Sequence, residues 1–429
     1  MKLSNIAILY LLFSTSLMAQ TTVKTFTFGS VKNNDSGISI TDAIAYSKKT
    51  AYGFDFNTAQ HANFSTNSVS STESLYFSVA LPEGNYNIDL VLGGDQASKT
   101  TVKAESRRLM LRDVAVKKNQ TVHKTITVNV RTPKINDTLN ITLKERERNY
   151  LNWDDKLTLE FLGQPAIQQI TITPVTSATT VFLAGDSTVT DQDLEPWASW
   201  GQFITAYFNP SIAIANFANS GESLPSFKSR KRLEKIISLI KPGDYLFIEF
   251  GHNDEKIKGE GNGAWGLYTN LLKEFITEAR AKKAIPVLLT PTQRRAFESN
   301  GKLKETHGDF PAAMRQVSKD LNVPLIDLTA MTTVLYESWG DEASRKAFVQ
   351  YPANTFPGQT KALEDNTHFN SFGANEIAKC VVIGIQDLNL PLQKALLEKL
   401  DYDPKSPDTY KNWTFPLSPR FENTKPDGN

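Results

Sequence analysis

Four short stretches of this 429-residue chain carry the side chains that an acyl transfer needs, and three of them stand where an apolar run stops. TVFLA ends at Gly185-Asp186-Ser187, IAIANFA at Asn219-Ser220-Gly221-Glu222, and DYLFIEF at Gly251-His252-Asn253-Asp254; in EDNTHFNSFGA, Asp365 precedes His368 by three residues. A serine hydroxyl is a weak nucleophile until a base takes its proton, and an imidazole near its ordinary pKa of about 6.5 suits that task. The imidazole needs a partner on its other nitrogen, and a carboxylate three residues earlier lies on the same side of one turn of chain. The oxyanion formed by attack at an ester carbonyl needs preorganised donors, each worth roughly a few kcal/mol of barrier. The backbone N–H groups of Ser187 and Gly221 and the side-chain amide of Asn253 supply three such donors from three strand ends. Taken singly, each piece has a plainer reading: a helix cap at Asp186-Ser187 or Asn253-Asp254, a positive φ at Gly221, a surface pair at Asp365 and His368. Their convergence is what those readings do not predict.

The remaining candidates are weaker. Of five histidines, His61 and His123 lie in strand-like stretches, and His307, within KETHGDF, is expected in a solvated loop. His252 rivals His368 as the base but lacks an acid at the right upstream spacing, so it is expected to touch substrate as a neighbour. Trp197, Trp200 and Trp265 fall near the loops above the strands, where an aromatic face stacks on a sugar ring; Trp197 and Trp265 are the candidates. KSRKRLEK at 228–235 is expected to be the wet face of a helix. There is no paired set of His and Cys ligands, NWDD at 152–155 is expected to be a turn rather than a calcium site, and GKLKET lacks the phosphate-loop pattern. Neither a metal nor an organic cofactor is expected.

These residues need a scaffold, and the second half supplies its pattern. Apolar runs at TVFLAG, IAIANFA, DYLFIEFG, IPVLLTP and VPLIDLT are each followed by a helix-like or variable segment. Strands apolar on both faces alternating with helices predict an α/β, three-layer, doubly wound parallel sheet, over 178–400. Ligands in such sheets bind where the strands end. The first half reads differently: VKTFTFGS, SLYFSVALPEGNYNIDLVLGG, HKTITVNVRT, DTLNITLKE and KLTLEFLG alternate apolar and polar residues, which predicts an all-β sandwich over 22–165. GQPAIQQITITPVTSATT, at the boundary, has room for one more strand. A tail over 401–429, rich in Pro, Asp, Asn and Lys, is expected to lie over the surface.

Composition excludes several classes. The 47 Lys and Arg nearly balance 46 Asp and Glu, so the net charge of +1 gives no reason to expect a nucleic-acid partner. Residues 1–19 have a basic start at Lys2, an apolar stretch from Ile6 to Phe13 and a small residue at Ala19. These are the features of a cleaved secretory leader, too interrupted for a membrane span, so the expectation is an exported protein without membrane insertion. The single cysteine, Cys380, leaves no intrachain disulfide to form.

Gly185-Asp186-Ser187, Gly221, Gly251-x-Asn253-Asp254 and Asp365-x-x-His368, in this order, resemble the four motif blocks of the SGNH (GDSL-like) hydrolase superfamily. FLAGDSTVTD, WASWGQ, FGHND, PAAMRQV and DNTHFNSFGA resemble the rhamnogalacturonan acetylesterases more closely, and YGFDF and RRLML occur in the β-rich N-terminal domain of bacterial members. The resemblance implies a carbohydrate esterase acting on an acetylated polysaccharide, with Ser187 as nucleophile, His368 as base, Asp365 as its orienting partner, and no cofactor. One departure stands out: Glu222 occupies a position where many of these esterases carry Arg. A carboxylate there argues against a uronate-bearing substrate. Two other readings remain open at this level: a carbohydrate-binding protein with an inactive hydrolase half, and a lipase or thioesterase of the same superfamily.

Overall fold

The computed structural model describes residues 22–32 and 37–427; the leader expected at 1–19 lies outside the described residues. The N-terminal half is two sheets packed face to face. One contains Gln120–Val130, Gly84–Gly94, Ala166–Pro174, Lys24–Phe28 and Ile38–Ile40 in that order, and the other contains Tyr52–Asp55, Leu75–Ala80, Lys156–Gln164, Ser98–Ala104 and Arg108–Val116. The period-two alternation decides which side chains meet: Phe26, Phe28, Leu90 and Ile170 from one sheet share a core with Phe77, Leu159 and Phe161 from the other.

Two expectations are corrected here. The strand Ala166–Pro174 is central, pairing with both Lys24–Phe28 and Gly84–Gly94, so the sandwich runs to Pro174 rather than ending at 165. DTLNITLKE forms no strand. It runs as a loop into a 3-10 turn at Glu145–Asn149, because Ile141 leaves the sandwich and packs in a core beneath the second domain's sheet.

That second sheet is parallel, in the order Ile212–Asn216, Thr179–Gly185, Tyr245–Glu249, Ile285–Leu289, Leu325–Ile326. Alternate residues serve opposite layers. Val181, Leu183, Tyr245 and Phe247 face a core with the helices Leu328–Ser344 and Ser371–Asp387. Phe182, Ala184, Leu246 and Ile248 face another, with Arg232–Leu239, Thr269–Ala281 and Phe310–Leu321. The chain therefore has the three-layer α/β fold, and strands apolar on both faces are what such a sheet demands. The order reverses around Thr179–Gly185, the first of these strands in the chain, which creates a switch point at its carboxyl end. Among the described residues no helix is long and apolar enough to cross a membrane.

Buried polar contacts join the two halves. The turn Ser106–Arg108 of the sandwich inserts against the segment that follows Ser187: Ser106 Oγ donates to Asp193 (2.6 Å), Arg107 donates to the carbonyls of Gln192 and Trp197, and Arg108 pairs with Asp191 at 3.4 Å. A second weld pairs Arg232 with Glu147 at 2.5 Å, both fully buried. The tail lies over the surface only in part. Lys103 donates to the Oγ of buried Ser418 (2.9 Å), and Arg420 O and Glu422 N bond the backbone of Glu195.

Removing one member of a buried ion pair strands the other charge, at a cost of about 3–5 kcal/mol, whereas replacing both by apolar residues costs far less. Glu147→Ala is expected to lose about that much stability in urea unfolding. The double variant Glu147→Leu/Arg232→Met is expected to be more stable than Glu147→Ala alone, and equal or greater loss in the double variant would contradict this account of the weld.

Candidate active site

The switch point brings the first three motif stretches side by side. Thr179–Gly185 lies between Ile212–Asn216 and Tyr245–Glu249, so the loop carrying Ser187 is flanked by those carrying Gly221 and Asn253. Ser187 begins a tight turn in which Val189 N and Thr190 N both donate to Asp186 O. The fourth stretch arrives from the far end of the domain. Leu363–Phe369 is extended, paired with Phe348–Tyr351 and bridged to Ala198, rather than lying in a loop.

There His368 Nε2 stands 2.8 Å from Ser187 Oγ, and His368 Nδ1 stands 2.7 Å from Asp365 Oδ2. The other carboxylate oxygen of Asp365 accepts from the backbone N–H groups of Thr367 (2.8 Å) and His368 (2.9 Å). Burial opposes ionisation of Asp365, yet hydrogen bonds from the His368 ring and from these backbone groups hold its pKa at about 2. An ionised carboxylate only accepts, so the ring proton sits on Nδ1 and Nε2 is left to accept from the serine.

Three donors face the same loop cluster. Neither Ser187 N–H nor Gly221 N–H has an acceptor among the described residues. Asn253 Oδ1 accepts from Lys256 Nζ (3.2 Å), which turns its Nδ2 inward, where one proton goes to Glu222 O at 3.0 Å. Gly221 has φ +74°, a conformation that strains any residue with a Cβ. The arrangement can deprotonate a serine, hold an oxyanion and return the proton to a leaving group.

The model of the GDSL-like Lipase/Acylhydrolase family matches residues 183–374. Rhamnogalacturonan acetylesterase RhgT of Bacillus subtilis (strain 168) is 44% identical over 221 residues, covering 51% of this chain and 94% of the relative. This chain belongs to the GDSL-like acylhydrolase family. The probable rhamnogalacturonan acetylesterase YesY of the same organism is 36% identical over 222 residues, 51% of this chain and 98% of that one. An uncharacterized esterase of that organism, YxiM, is 25% identical over 381 residues, covering 85% of this chain and 91% of its own length. The acylhydrolase is a carboxylic ester hydrolase.

Several expected neighbours stand elsewhere in this acylhydrolase. His252 is buried beneath the site, with Nδ1 3.4 Å from Asp186 and its ring edge-on to His307 at 4.7 Å. Burial lowers its pKa to about 4, against the pull of Asp186. His307 is not solvated: it is buried, contacting Glu255 at 2.9 Å and the carbonyl of Thr292 at 2.9 Å, because its loop folds back onto the Asn253 loop. Trp197 is 3% exposed and packed, so it offers no stacking face; Trp265 is 57% exposed and donates to Asp309 at 3.1 Å. A cavity of about 540 Å³ beside the Asn253 loop is lined by Glu255, Lys256, Thr306, His307 and Phe310. Glu222 is fully buried, and its carboxylate is taken up by Lys144 at 3.5 Å and Arg230 at 3.3 Å.

Other residues shape the acylhydrolase site without having stood out in the sequence. Gln192 and Ser199 both donate to Ser187 O, at 2.9 and 2.6 Å. Glu249 accepts from Thr188 Oγ1 at 3.0 Å and from Trp200 Nε1 at 2.6 Å; burial, with Asp186 nearby, raises its pKa to about 8. The one visible signal was a carboxylate inside the apolar run YLFIEF.

The pKa of Asp365 makes a stability prediction. Its folded value of about 2 lies below the ordinary 3.8, so the group stabilises the fold above pH 3.8, and that contribution disappears as pH falls toward 2. Acid unfolding of the unaltered protein is expected to show about 2 kcal/mol lost across that window, and Asp365→Asn to lack this component. Equal slopes for both proteins would contradict it.

Proposed function

We propose that the protein is a serine carbohydrate esterase that removes O-acetyl groups from an acetylated polysaccharide, with acetylated rhamnogalacturonan as the leading substrate. The observation that carries this reading is the continuous relay from Ser187 Oγ through His368 to Asp365, at 2.8 and 2.7 Å. The acetyl group and the polysaccharide are supported by the names of RhgT and YesY, each matched over nearly its full length. Export through the leader at 1–19 rests on the sequence and would place the enzyme where polysaccharide is found.

In this reading Ser187 Oγ attacks the acetyl carbonyl while His368 Nε2 takes its proton. The tetrahedral oxyanion is held by the N–H groups of Ser187 and Gly221 and the remaining amide proton of Asn253. Collapse breaks the ester bond, and the imidazolium gives its proton to the departing sugar hydroxyl. Water, deprotonated by the same imidazole, attacks the acetyl-serine; acetate leaves and Ser187 recovers its proton. Asp365 stabilises the imidazolium in both halves without taking the proton.

Acetate release from acetylated rhamnogalacturonan and hydrolysis of p-nitrophenyl acetate measure the role of each residue. Ser187→Ala and His368→Ala are expected to lower kcat by about ten-thousandfold to a millionfold with the fold intact by circular dichroism. Asn253→Ala is expected to lower it by about a hundredfold to a thousandfold. Activity that survives in His368→Ala but vanishes in His252→Ala would assign the base wrongly here. Preference for octanoyl over acetyl esters would favour a lipase instead.

A further inference from the structure

The site is closed in this structure, and its cover is the chain's own tail. Ser187 is 3% exposed and His368 is 1% exposed. Lys425 Nζ lies 3.6 Å from Asp365, at the acid end of the relay. Two residues on, Asp427 packs against Gly221, at the oxyanion end, so that a Cβ built there would meet Asp427 Cβ at 2.8 Å and Lys144 Nζ at 3.0 Å. Pro426, between them, is buried. Lys425, Pro426 and Asp427 thus bridge the two ends of the catalytic relay.

The charges beneath this cover are unequal. Lys144 and Arg146 come from the 3-10 turn of the N-terminal half, whose Glu147 is anchored to Arg232 and accepts from Lys144 N at 2.9 Å. Lys144 Nζ also donates to Ser220 O at 2.5 Å, which places it against the Gly221 loop. Lys144 and Arg230 pair with a single carboxylate of the body, Glu222, and Arg146 has the Tyr150 side chain as its partner in the body. The two carboxylates that complete the balance belong to the tail: Glu422, 2.7 Å from Arg146, and Asp427, 3.6 Å from both Lys144 and Arg146. Asp427 is 46% exposed, so this ion pair is screened and displaceable, whereas Glu222 is fully buried and fixed. When Asp427 leaves, a two-pronged cationic seat opens beside the oxyanion donors, of a size already shown to take a carboxylate.

We propose that Lys144 and Arg146 form a carboxylate subsite for an acidic sugar of the acetylated polysaccharide, a subsite that the side chain of Asp427 fills until substrate displaces it. The proposal rests on the acetylesterase reading and names the residues of this chain that would meet the polymer's acidic sugar. The cation absent at position 222 is thereby supplied from the N-terminal half, which reverses the argument against a uronate that Glu222 alone suggested. The sandwich then determines specificity, while the parallel sheet carries the chemistry.

The test uses the full chain, two esters and one equilibrium measurement. For Lys144→Met and Arg146→Met, kcat/KM on acetylated pectic polysaccharide relative to that on p-nitrophenyl acetate is expected to fall about tenfold, mainly through KM, with Lys144→Arg restoring much of the ratio. Asp427→Asn is expected to lower KM for the acidic polymer several-fold. An unchanged ratio, or equal losses on both esters, would overturn the subsite and leave these residues a structural role only. Calorimetric titration needs no turnover: galacturonate is expected to bind more tightly than galactose, tenfold more weakly to Lys144→Met, and several-fold more tightly to Asp427→Asn. Equal binding of galactose, or tighter binding of galactose 6-sulfate, would overturn the carboxylate assignment. A chain that binds galacturonate in this way but hydrolyses neither ester would instead sink the esterase reading and leave the subsite standing.

Discussion

The active site depends on two buried carboxylates, Asp191 and Glu195, in a segment that has no helix of its own. After Ser187 the chain turns once and then runs irregularly to the helix Trp200–Phe203. Irregular backbone held in the interior must find partners for its polar groups or unfold. Here the partners come from the other half of the molecule. Arg108 and Arg131 face Asp191, and Lys103 and Arg107 face Glu195, with all six side chains almost wholly withdrawn from water. Burial pushes the Asp191 carboxyl upward against the pull of its two arginines, while Arg107 and Lys103 outweigh burial and hold Glu195 low. The sandwich is therefore part of the active-site framework even though none of its described residues bonds Ser187 Oγ.

That framework explains how a relay assembled from sequence-distant pieces stays in register. Ser187 O accepts from Gln192 and Ser199, both within the braced segment, and Ala198 bonds Phe369, next to His368. A shift of the segment would therefore move Ser187 relative to His368. Asp365 adds a local constraint, since its backbone bonds to Thr367 and His368 make the acid and base a single rigid turn. Below them Asp186, His252 and Glu249 form a buried polar layer in which burial keeps His252 neutral and raises Glu249. Negative charge near Ser187 is thereby limited to the carboxylates that hydrogen bonds hold ionised.

The mouth of the site follows a different logic. Apart from the buried Glu222 its groups are partly exposed, the ion pairs of Asp427 are exchangeable, and it is built from three regions: the 3-10 turn of the N-terminal half, the loop after Ile212–Asn216, and the tail. Chemistry and recognition are thus carried by separate layers. The buried layer tolerates little change, because every removed partner strands a charge. The ion pairs that Asp427 makes can be exchanged with small effects on folding, since exposed ion pairs contribute about 0–1 kcal/mol.

Much of this was legible from residue order alone, for a physical reason. Strand apolarity on both faces, strands alternating with helices, and chemistry-bearing residues at strand ends are local consequences of a parallel sheet, and Asp365-x-x-His368 is complete within one turn of chain. The seams were not legible. The run KSRKRLEK read as the wet face of a helix, yet Arg232 is buried against Glu147 and Lys235 is buried too. His307 read as a solvated loop residue and Trp197 as a stacking face, because nothing adjacent in sequence shows what will fold over them. Residue order carries the fold class through periodicity and the Asp365–His368 pair through short spacing, while Ser187 meets His368 only in the fold. Only the tertiary structure decided which charges are paired, which are covered and which are left for a ligand, because those partners lie tens to hundreds of residues apart and meet only when the two halves and the tail close on one another.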